Sequence, residues 1–356
     1  MSLKTRLQAC AVNLTLMIVP LGVLFLVVEG ILRLGPPLPA ERIPPRPTGA
    51  LIRCDPDSLL GWRLPASTSG TFMCNEYRIQ LRTSAWGLRG PEVNPADLAP
   101  LRILVLGDSY AFGWGVSDED AFPRRLESLL RARAPGRPVE VINAGVPGYA
   151  FHQRLRMLGL IRARVRVDIV ILTASMANDP WEDLRIAPYL GSHLPWYSGD
   201  WKHPDSFLAR MIRRSRLLTI LDRKSRGLQL ALVNISPPAT REMGRAMGLL
   251  IDECRRDHIP VLTVICPRRS EVEGGSGFLH RLSLVLTKGA RDETLRVLGS
   301  RRVPVLDITP VLAGLERREG AFLKRDPHWT SHGQQEVAAA VFAALPPEWL
   351  AARSGD

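Results

Sequence analysis

Residues 101–115 read LRILVLGDSYAFGWG, an apolar run that passes directly into a Gly-Asp-Ser triplet. The run at residues 103–106 is short, continuous and followed by glycine, which is typical of a fully buried β-strand. Ser109 therefore follows the carboxyl end of the predicted strand, in a loop whose small residues let a ligand or another backbone approach. The glycine spacing matches neither the dinucleotide-binding fingerprint nor a P-loop. A phosphate-cradling loop is disfavoured, but the serine alone does not define a site.

Four further apolar runs follow, separated by longer helical patterns. These predicted strands cover residues 139–142, 168–173, 260–265 and 303–306. Strands that alternate with helices predict a parallel sheet, in which ligands bind at the carboxyl ends of the strands. The polar residues directly after each run are therefore the candidates for a functional site. Between the first two runs, Ser117 and the three acidic residues after it predict the N-cap of a helix that carries Leu126 and Leu130.

Further polar candidates occur at the other strand exits and before the last helix. Gly148 follows the second run, Asn178 and Asp179 follow the third, and Asp326 and His328 precede the closing helix. Each alone has an ordinary structural interpretation, as a turn or as a helix cap. Together they supply what acyl transfer needs beside a nucleophile: a base, an orienting acid and donors for a developing oxyanion.

In this order the motifs resemble those of the SGNH hydrolase superfamily, over roughly residues 101–345. The resemblance is carried by Gly107-Asp108-Ser109, Gly148, Asn178-Asp179, and Asp326 with His328. It implies a three-layer α/β/α flavodoxin-like fold. It also implies Ser109 as nucleophile, His328 as general base and Asp326 as the orienting acid. The implied oxyanion donors are the backbone amides of Ser109 and Gly148 and the side-chain amide of Asn178.

Two positions depart from the family pattern. Met176 stands where the family has a glycine two residues before the asparagine, and this is expected to narrow the pocket. Asp326 lies two rather than three residues before His328. The shorter spacing leaves three candidates for orienting His328: Asp326, another acid or a backbone carbonyl.

The amino-terminal segment predicts a membrane anchor. Between Arg6 and Glu29, 22 residues carry no charge, and at about 1.5 Å per residue they span the roughly 30 Å hydrocarbon core. Lys4 and Arg6 favour a cytoplasmic amino terminus and a periplasmic catalytic domain, in a single-pass protein of the inner membrane. The predicted domains are a cytoplasmic tip and transmembrane signal anchor (1–34), a Pro-rich linker (35–50), a small strand-rich lead-in without assigned chemistry (51–100) and a catalytic domain (101–350).

Composition narrows the set of partners. The net charge of +12 is spread along the 356 residues without a basic motif, which favours a surface near anionic lipid headgroups and predicts no nucleic-acid partner. The five cysteines show no C-x-x-C spacing, so neither a metal nor another cofactor is predicted. Cys54 and Cys74 form a disulfide or stay as free thiols; the sequence leaves both open.

The predicted function is that of a serine-dependent esterase acting on an acyl or acetyl ester of a cell-envelope glycan or lipid. Its predicted partners are that acylated glycan or lipid and the membrane, through the amino-terminal helix. Two alternatives stay open. The same residues can pass the acyl group to a hydroxyl of an envelope polysaccharide, as an O-acyltransferase. Alternatively, Met176 and the shifted Asp326 mark a non-catalytic protein that binds glycan in a remnant pocket.

Overall fold

The computed structural model describes residues 3–35, 55–73, 76–176, 178–189, 215–218, 220–221, 232–233, 235–273, 278–324 and 326–351, with no side chains described for 3–18, 278–283 and 286. Two compact units make up the chain, Met1–Arg46 with Lys202–Gln229 and Pro47–Trp201 with Leu230–Asp356. Cys54, Cys74 and all but the first residue of the predicted Pro-rich linker lie outside the described residues.

The first unit contains the long helix α1, Leu3–Leu34, with Pro20 inside it. Near the end of α1, the buried Glu29 carboxylate accepts hydrogen bonds from the Ser215 hydroxyl and from the N–H groups of Arg216 and Leu217. Within the part of the chain that the structure describes, none of the helices combines the length and the hydropathy that a membrane span requires. The membrane anchor therefore stays a prediction of the sequence.

The second unit begins with two antiparallel hairpins. Strands β1 (Asp55–Asp57) and β2 (Gly61–Arg63) form the first, and strands β3 (Ser69–Met73) and β4 (Arg78–Arg82) form the second. In β4 buried and exposed residues alternate, because successive side chains of a strand point to opposite faces. Trp62 of β2 and Phe72 of β3 are buried in the main core of the unit, so the lead-in packs as part of that core.

The centre of the second unit is a parallel sheet of five strands in the order β6-β5-β7-β8-β9. The strands are β5 (Leu101–Gly107), β6 (Val139–Gly145), β7 (Ile169–Ser175), β8 (Val261–Cys266) and β9 (Val305–Asp307). Each covers one of the predicted apolar runs to within a few residues, so the predicted parallel α/β fold is confirmed. Because β5 lies between β6 and β7, the loops that leave these three strands are neighbours.

Helices cover both faces of the sheet. In chain order they are α2 (Ser109–Phe112), α3 (Phe122–Arg133), α4 (Phe151–Arg162), α5 (Asp179–Ile186), α6 (Pro237–Arg256), α7 (Arg269–Val272), α8 (Phe278–Ser300), α9 (Thr309–Arg318), α10 (Ser331–Ala344) and α11 (Pro347–Leu350). Leu104 and Leu106 of β5 pack in one core with α4, α6 and α8. Ile103 and Val105 point to the opposite core, with α3, α9 and α10. Burial on both faces explains why the strands read as continuous apolar runs.

The helix predicted to start at Ser117 begins later. Residues Asp118–Asp120 form a 3-10 turn, and α3 starts at Phe122, so the N-cap prediction for Ser117 is wrong. Pro123 fits the first turn of α3, where an N–H has no partner within the helix. The Ser117 hydroxyl instead accepts a hydrogen bond from the N–H of Gln80 in β4 at 3.3 Å.

Candidate active site

Ser109 is the first residue of α2, at the carboxyl end of β5. Asp108 caps this short helix by accepting a hydrogen bond from the N–H of Tyr110 at 3.0 Å. The helix lies directly against β6, since a Cβ atom on Gly145 would come within 2.3 Å of the Phe112 nitrogen. Ser109 itself is 8% exposed. The fold thus holds the Ser109 hydroxyl at the carboxyl end of β5, where little of this residue is exposed.

A chain of hydrogen bonds joins Ser109, His328 and Asp326. The Ser109 Oγ lies 2.6 Å from His328 Nε2, and His328 Nδ1 is hydrogen-bonded to Asp326 Oδ1. With Nδ1 protonated, His328 donates to the carboxylate and accepts from the serine hydroxyl. The structure therefore brings together the three residues to which the resemblance assigns nucleophile, base and orienting acid. Such an arrangement can move a proton from a hydroxyl onto an imidazole.

The two-residue spacing between Asp326 and His328 is explained by a local turn. Asp326 Oδ1 also accepts a hydrogen bond from the backbone N–H of His328 at 3.0 Å. An aspartate that binds the N–H two residues ahead closes an Asx turn, which places its carboxylate beside the side chain of that later residue. Of the three candidates that the sequence left open for orienting His328, the structure places Asp326 in contact with the ring.

Trp114 is a residue of this site that the sequence reasoning missed. Its indole Nε1 donates to Asp326 Oδ2 at 3.1 Å, and its ring packs edge-on against Phe72 of the lead-in. Burial alone would raise the pKa of the Asp326 carboxyl, but hydrogen bonds from His328 and Trp114 outweigh it and hold this pKa below its usual value. Asp326 thus stays ionised beside His328. The only sequence signal for Trp114 was its place in the glycine-rich loop after Ser109.

The two other predicted oxyanion donors lie in the loops that flank the Ser109 loop. Gly148 follows β6 with a φ of +78°, a conformation that favours glycine. Asn178 precedes α5, and its side chain makes no capping hydrogen bond to that helix. No strand other than β6 and β7 is hydrogen-bonded to β5 in the described sheet, so both loops adjoin Ser109. Met176, expected to narrow the pocket, is fully buried in the core and receives a hydrogen bond from Thr294 at its sulfur.

The side chain of Arg154, on α4, connects the segments at the carboxyl ends of β5, β6 and β7. It is fully buried and forms an ion pair with Asp179 at 2.7 Å. Its guanidinium also donates to the carbonyl oxygens of Tyr149 and Thr173 and lies 4.0 Å from Asp108. A buried arginine with several oxygen partners fixes them relative to one another. Asp179, one of the candidates that follow the third apolar run, is part of this network and also accepts the Ser175 N–H at 2.7 Å.

Arg89, from the lead-in, supports the far end of the Ser109 loop. It is 4% exposed, and its guanidinium donates to the carbonyl oxygens of Phe112, Gly113 and Val116, each at 2.6 Å. Its Nε donates to Asp118 at 2.9 Å. The lead-in, to which the sequence assigned no chemistry, therefore contacts the loop that carries the serine.

Comparison with known proteins identifies a family that the chain matches. Residues 105–336 match the model of the GDSL-like lipase/acylhydrolase family. No curated protein sequence matches the chain. Similar solved structures include the acetyl xylan esterase AlAXEase, at 13% identity and a TM-score of 0.43 over 69% of this chain and 100% of that one. The esterase EstA from Pseudoalteromonas sp. has 13% identity and 0.42 over 70% and 98%. The lipase/acylhydrolase from Enterococcus faecalis has 15% identity and 0.40 over 68% and 93%.

Proposed function

The chain belongs to the GDSL-like lipase/acylhydrolase family, and we propose that this ester-hydrolysing enzyme removes acyl or acetyl groups from a glycan or lipid of the cell envelope. The observation that carries the proposal is the hydrogen-bonded chain from Ser109 through His328 to Asp326. A nucleophile, a base and an orienting acid in this order are the parts that acyl transfer requires.

In the first half of the reaction, the Ser109 Oγ attacks the ester carbonyl while His328 Nε2 takes the hydroxyl proton. The imidazolium formed is stabilised by the Asp326 carboxylate at Nδ1. Collapse of the tetrahedral intermediate breaks the bond to the alcohol oxygen, and His328 returns the proton to that oxygen. The alcohol leaves, and the acyl group stays on Ser109.

The negative charge that forms on the carbonyl oxygen needs donors that are already in place. The N–H of Ser109 is the first of α2 and takes no part in its i→i−4 hydrogen bonds. We assign the remaining donors to the Gly148 N–H and the Asn178 side-chain amide, in the flanking loops. Arg154 donates to Tyr149, the residue after Gly148, and pairs with Asp179, the residue after Asn178, so it holds these two loops relative to each other.

In the second half, water replaces the alcohol. His328 takes a proton from the water molecule, whose oxygen attacks the acyl carbonyl, and the proton then returns to the Ser109 Oγ as the acid leaves. The same acyl-enzyme can instead react with a sugar hydroxyl, which is the transferase alternative. The non-catalytic alternative is set aside, because the chain belongs to an ester-hydrolysing family.

The envelope location rests on the amino-terminal helix. Several apolar side chains of α1 are exposed, namely Val19, Leu21, Val23, Leu24, Leu26, Val27, Ile31 and Leu34. A lipid environment would remove this surface from water at a gain of about 25 cal/mol per Å². Together with the uncharged run of the sequence, this supports a single-pass anchor in the inner membrane. Lys4 and Arg6 before the run favour a catalytic unit on the periplasmic side.

The test is acetate release from acetylated envelope polysaccharide and turnover of nitrophenyl acetate by the purified full-length chain. Ser109→Ala and His328→Ala should each lose at least a thousandfold in kcat/KM on both substrates. Ser128→Ala, at an exposed serine of α3, is the matched control and should keep wild-type rates. A fluorophosphonate probe should label the wild type and the Ser128 variant but not the Ser109 variant.

Three results would change the proposal. Labelling and turnover that survive Ser109→Ala would remove Ser109 as the nucleophile. Hydrolysis of nitrophenyl acetate without release from any envelope glycan or lipid would leave an esterase and exclude the proposed substrate. Acetyl transfer to a glycan acceptor that outpaces acetate release would establish the transferase alternative.

A further inference from the structure

Glu182 is a buried acidic residue that the proposed reaction does not use. It lies on α5 and is 9% exposed. One of its oxygens, Oε1, is 3.8 Å from the point that a Cβ atom on Gly148 would occupy. The Trp62 ring borders the same point at 3.5 Å. One carboxyl oxygen and one aromatic ring therefore lie beside Gly148, the proposed oxyanion donor.

The Glu182 carboxyl lacks the partners that buried acids normally have. Its Oε2 is fully buried without a hydrogen-bond partner, and no described residue forms an ion pair with it. Arg154 is already engaged by Asp179 at 2.7 Å. Burying a carboxylate without compensation costs several kcal/mol, so such a group stays neutral or finds a partner from outside the chain.

Burial and the nearby carboxylates favour the neutral form of Glu182. Burial, and then the nearby Asp179 and Asp108 carboxylates, raise the pKa of Glu182 to about 8, against the opposing attraction of Arg154 and Arg185. Below that pH the group is a neutral acid with one O–H donor and one carbonyl acceptor. Because Oε2 is enclosed, Oε1 is the oxygen that a substrate would meet, and a sugar hydroxyl can either donate to it or accept from it.

We propose that Glu182 binds a hydroxyl group of the sugar that carries the scissile ester. This inference rests on the proposed function and narrows it, because a sugar offers a hydroxyl next to the acylated oxygen whereas a plain acyl chain does not. The Trp62 ring supplies an apolar boundary beside the carboxyl. Glu182 is thus a substrate-binding residue that makes the site prefer glycan esters.

The experiment compares two esters that differ in their hydroxyl groups: methyl glucoside carrying one acetyl group, tested as each positional isomer, and cyclohexyl acetate. Purified full-length wild type should prefer the best glucoside isomer over cyclohexyl acetate. We express this preference as the kcat/KM for the glucoside divided by the kcat/KM for cyclohexyl acetate. Glu182→Met, which removes donor and acceptor, should lower this ratio about tenfold, mainly by raising the KM for the glucoside. Glu182→Gln keeps a donor and an acceptor and should change the ratio less than threefold. Turnover of nitrophenyl acetate, which has no hydroxyl, is measured for both variants, so that a change in overall activity is separated from a change in the preference for the glucoside.

The outcomes separate the inference from the proposed function. If the wild type hydrolyses nitrophenyl acetate but does not prefer any glucoside isomer, the glycan substrate is wrong and the role of Glu182 falls with it. If the wild type prefers the glucoside and Glu182→Met keeps that preference, the glycan substrate stands and the inference is overturned. If Glu182→Met does not fold, a more than tenfold loss of the preference in the isosteric Glu182→Gln overturns the inference, since donor and acceptor are still present there.

Discussion

At the scale of single residues, the orientation of His328 depends on one oxygen of Asp326, which binds the backbone N–H and the ring of the same residue. The other oxygen is bound by Trp114. The sequence could supply Asp326 and His328, because they match a known motif. It could not supply Trp114, since its contact spans 212 positions along the chain and exists only after the loops meet.

Trp114→Phe should impair the reaction without disturbing the packing. Phenylalanine keeps an aromatic ring against Phe72 but lacks the indole N–H that binds Asp326 Oδ2. We expect kcat to fall about tenfold with little change in KM, because the interaction orients the base and does not touch the substrate. The pKa of Asp326, which is lowered in part by this hydrogen bond, should rise toward its usual value. An unchanged kcat would contradict the role of Trp114.

The protonation of Glu182 has a consequence for stability that is independent of substrate. Its pKa is raised from 4.5 to about 8, so between these values the folded chain holds a proton that the unfolded chain has released. The stabilisation is complete below the unfolded pKa and is lost as pH rises toward 8. Relative to Glu182→Gln, the free energy of unfolding of the wild type should therefore decline by up to about 1.4 kcal/mol per pH unit. Denaturant titrations at pH 5 and pH 8 measure this difference; equal changes in both proteins would mean that Glu182 is already ionised.

At the scale of elements, the sequence predicted the five strands but not the side chains that hold the neighbouring loops in place. All five runs were recognisable because both faces of the sheet are buried, which leaves a continuous apolar signal. Ser117 was misread as a helix cap because an N-cap pattern is local, whereas its hydroxyl is engaged by Gln80 of a distant hairpin. Arg89 and Arg154 gave no signal, since a buried arginine looks like a surface arginine until its carbonyl partners are known.

The position of α2 against β6 allows a matched test with two glycines. Gly145→Ala would place a Cβ atom 2.3 Å from the backbone nitrogen of Phe112, so α2 and Ser109 must move. We expect at least a hundredfold loss of kcat/KM, because even a 1 Å displacement of a reacting group costs about this much. Gly159→Ala, inside α4 with nothing within 4 Å of the new atom, should keep activity and stabilise the fold by roughly 0.5–1 kcal/mol. Equal activity of the two variants would show that α2 does not need this close contact.

Arg89 couples the lead-in to the loop that carries Ser109. Arg89→Met would remove one donor from each of three carbonyl oxygens and from the Asp118 carboxylate, which keeps its contacts with Arg82. The free energy of unfolding should fall by about 3 kcal/mol or more, as expected when one partner of a buried ion pair is removed. Adding Asp118→Asn should recover part of this loss, because it removes a carboxylate that has lost the nearer of its two arginine partners. Denaturant unfolding of the three variants, Arg89→Met, Asp118→Asn and the double substitution, measures the coupling; strictly additive effects would mean that the pair does not interact.

At the scale of the whole molecule, the second unit contains every residue assigned to the reaction, and its lead-in is part of the catalytic structure through Arg89, Trp62 and Phe72. The sequence analysis placed a domain boundary at residue 100, between the lead-in and the catalytic domain, because their compositions differ. In the structure the two segments pack together. The first unit has a different character, with apolar side chains exposed along α1. Membrane attachment is therefore a property to test on the intact chain.

The anchor prediction can be tested with charge placed on α1. Leu21→Lys combined with Leu24→Lys puts two ammonium groups in the second half of the uncharged run, at a cost of up to about 2.5–3.5 kcal/mol each for insertion into a bilayer. We expect full-length wild type to stay in the membrane pellet after alkaline carbonate washing and the double variant to move to the soluble fraction. Leu98→Lys, at a leucine of the second unit that is 71% exposed, makes the same chemical change outside α1 and should stay in the pellet. Wild type in the soluble fraction would refute the anchor, whereas retention of the double variant would mean that attachment does not depend on this part of α1.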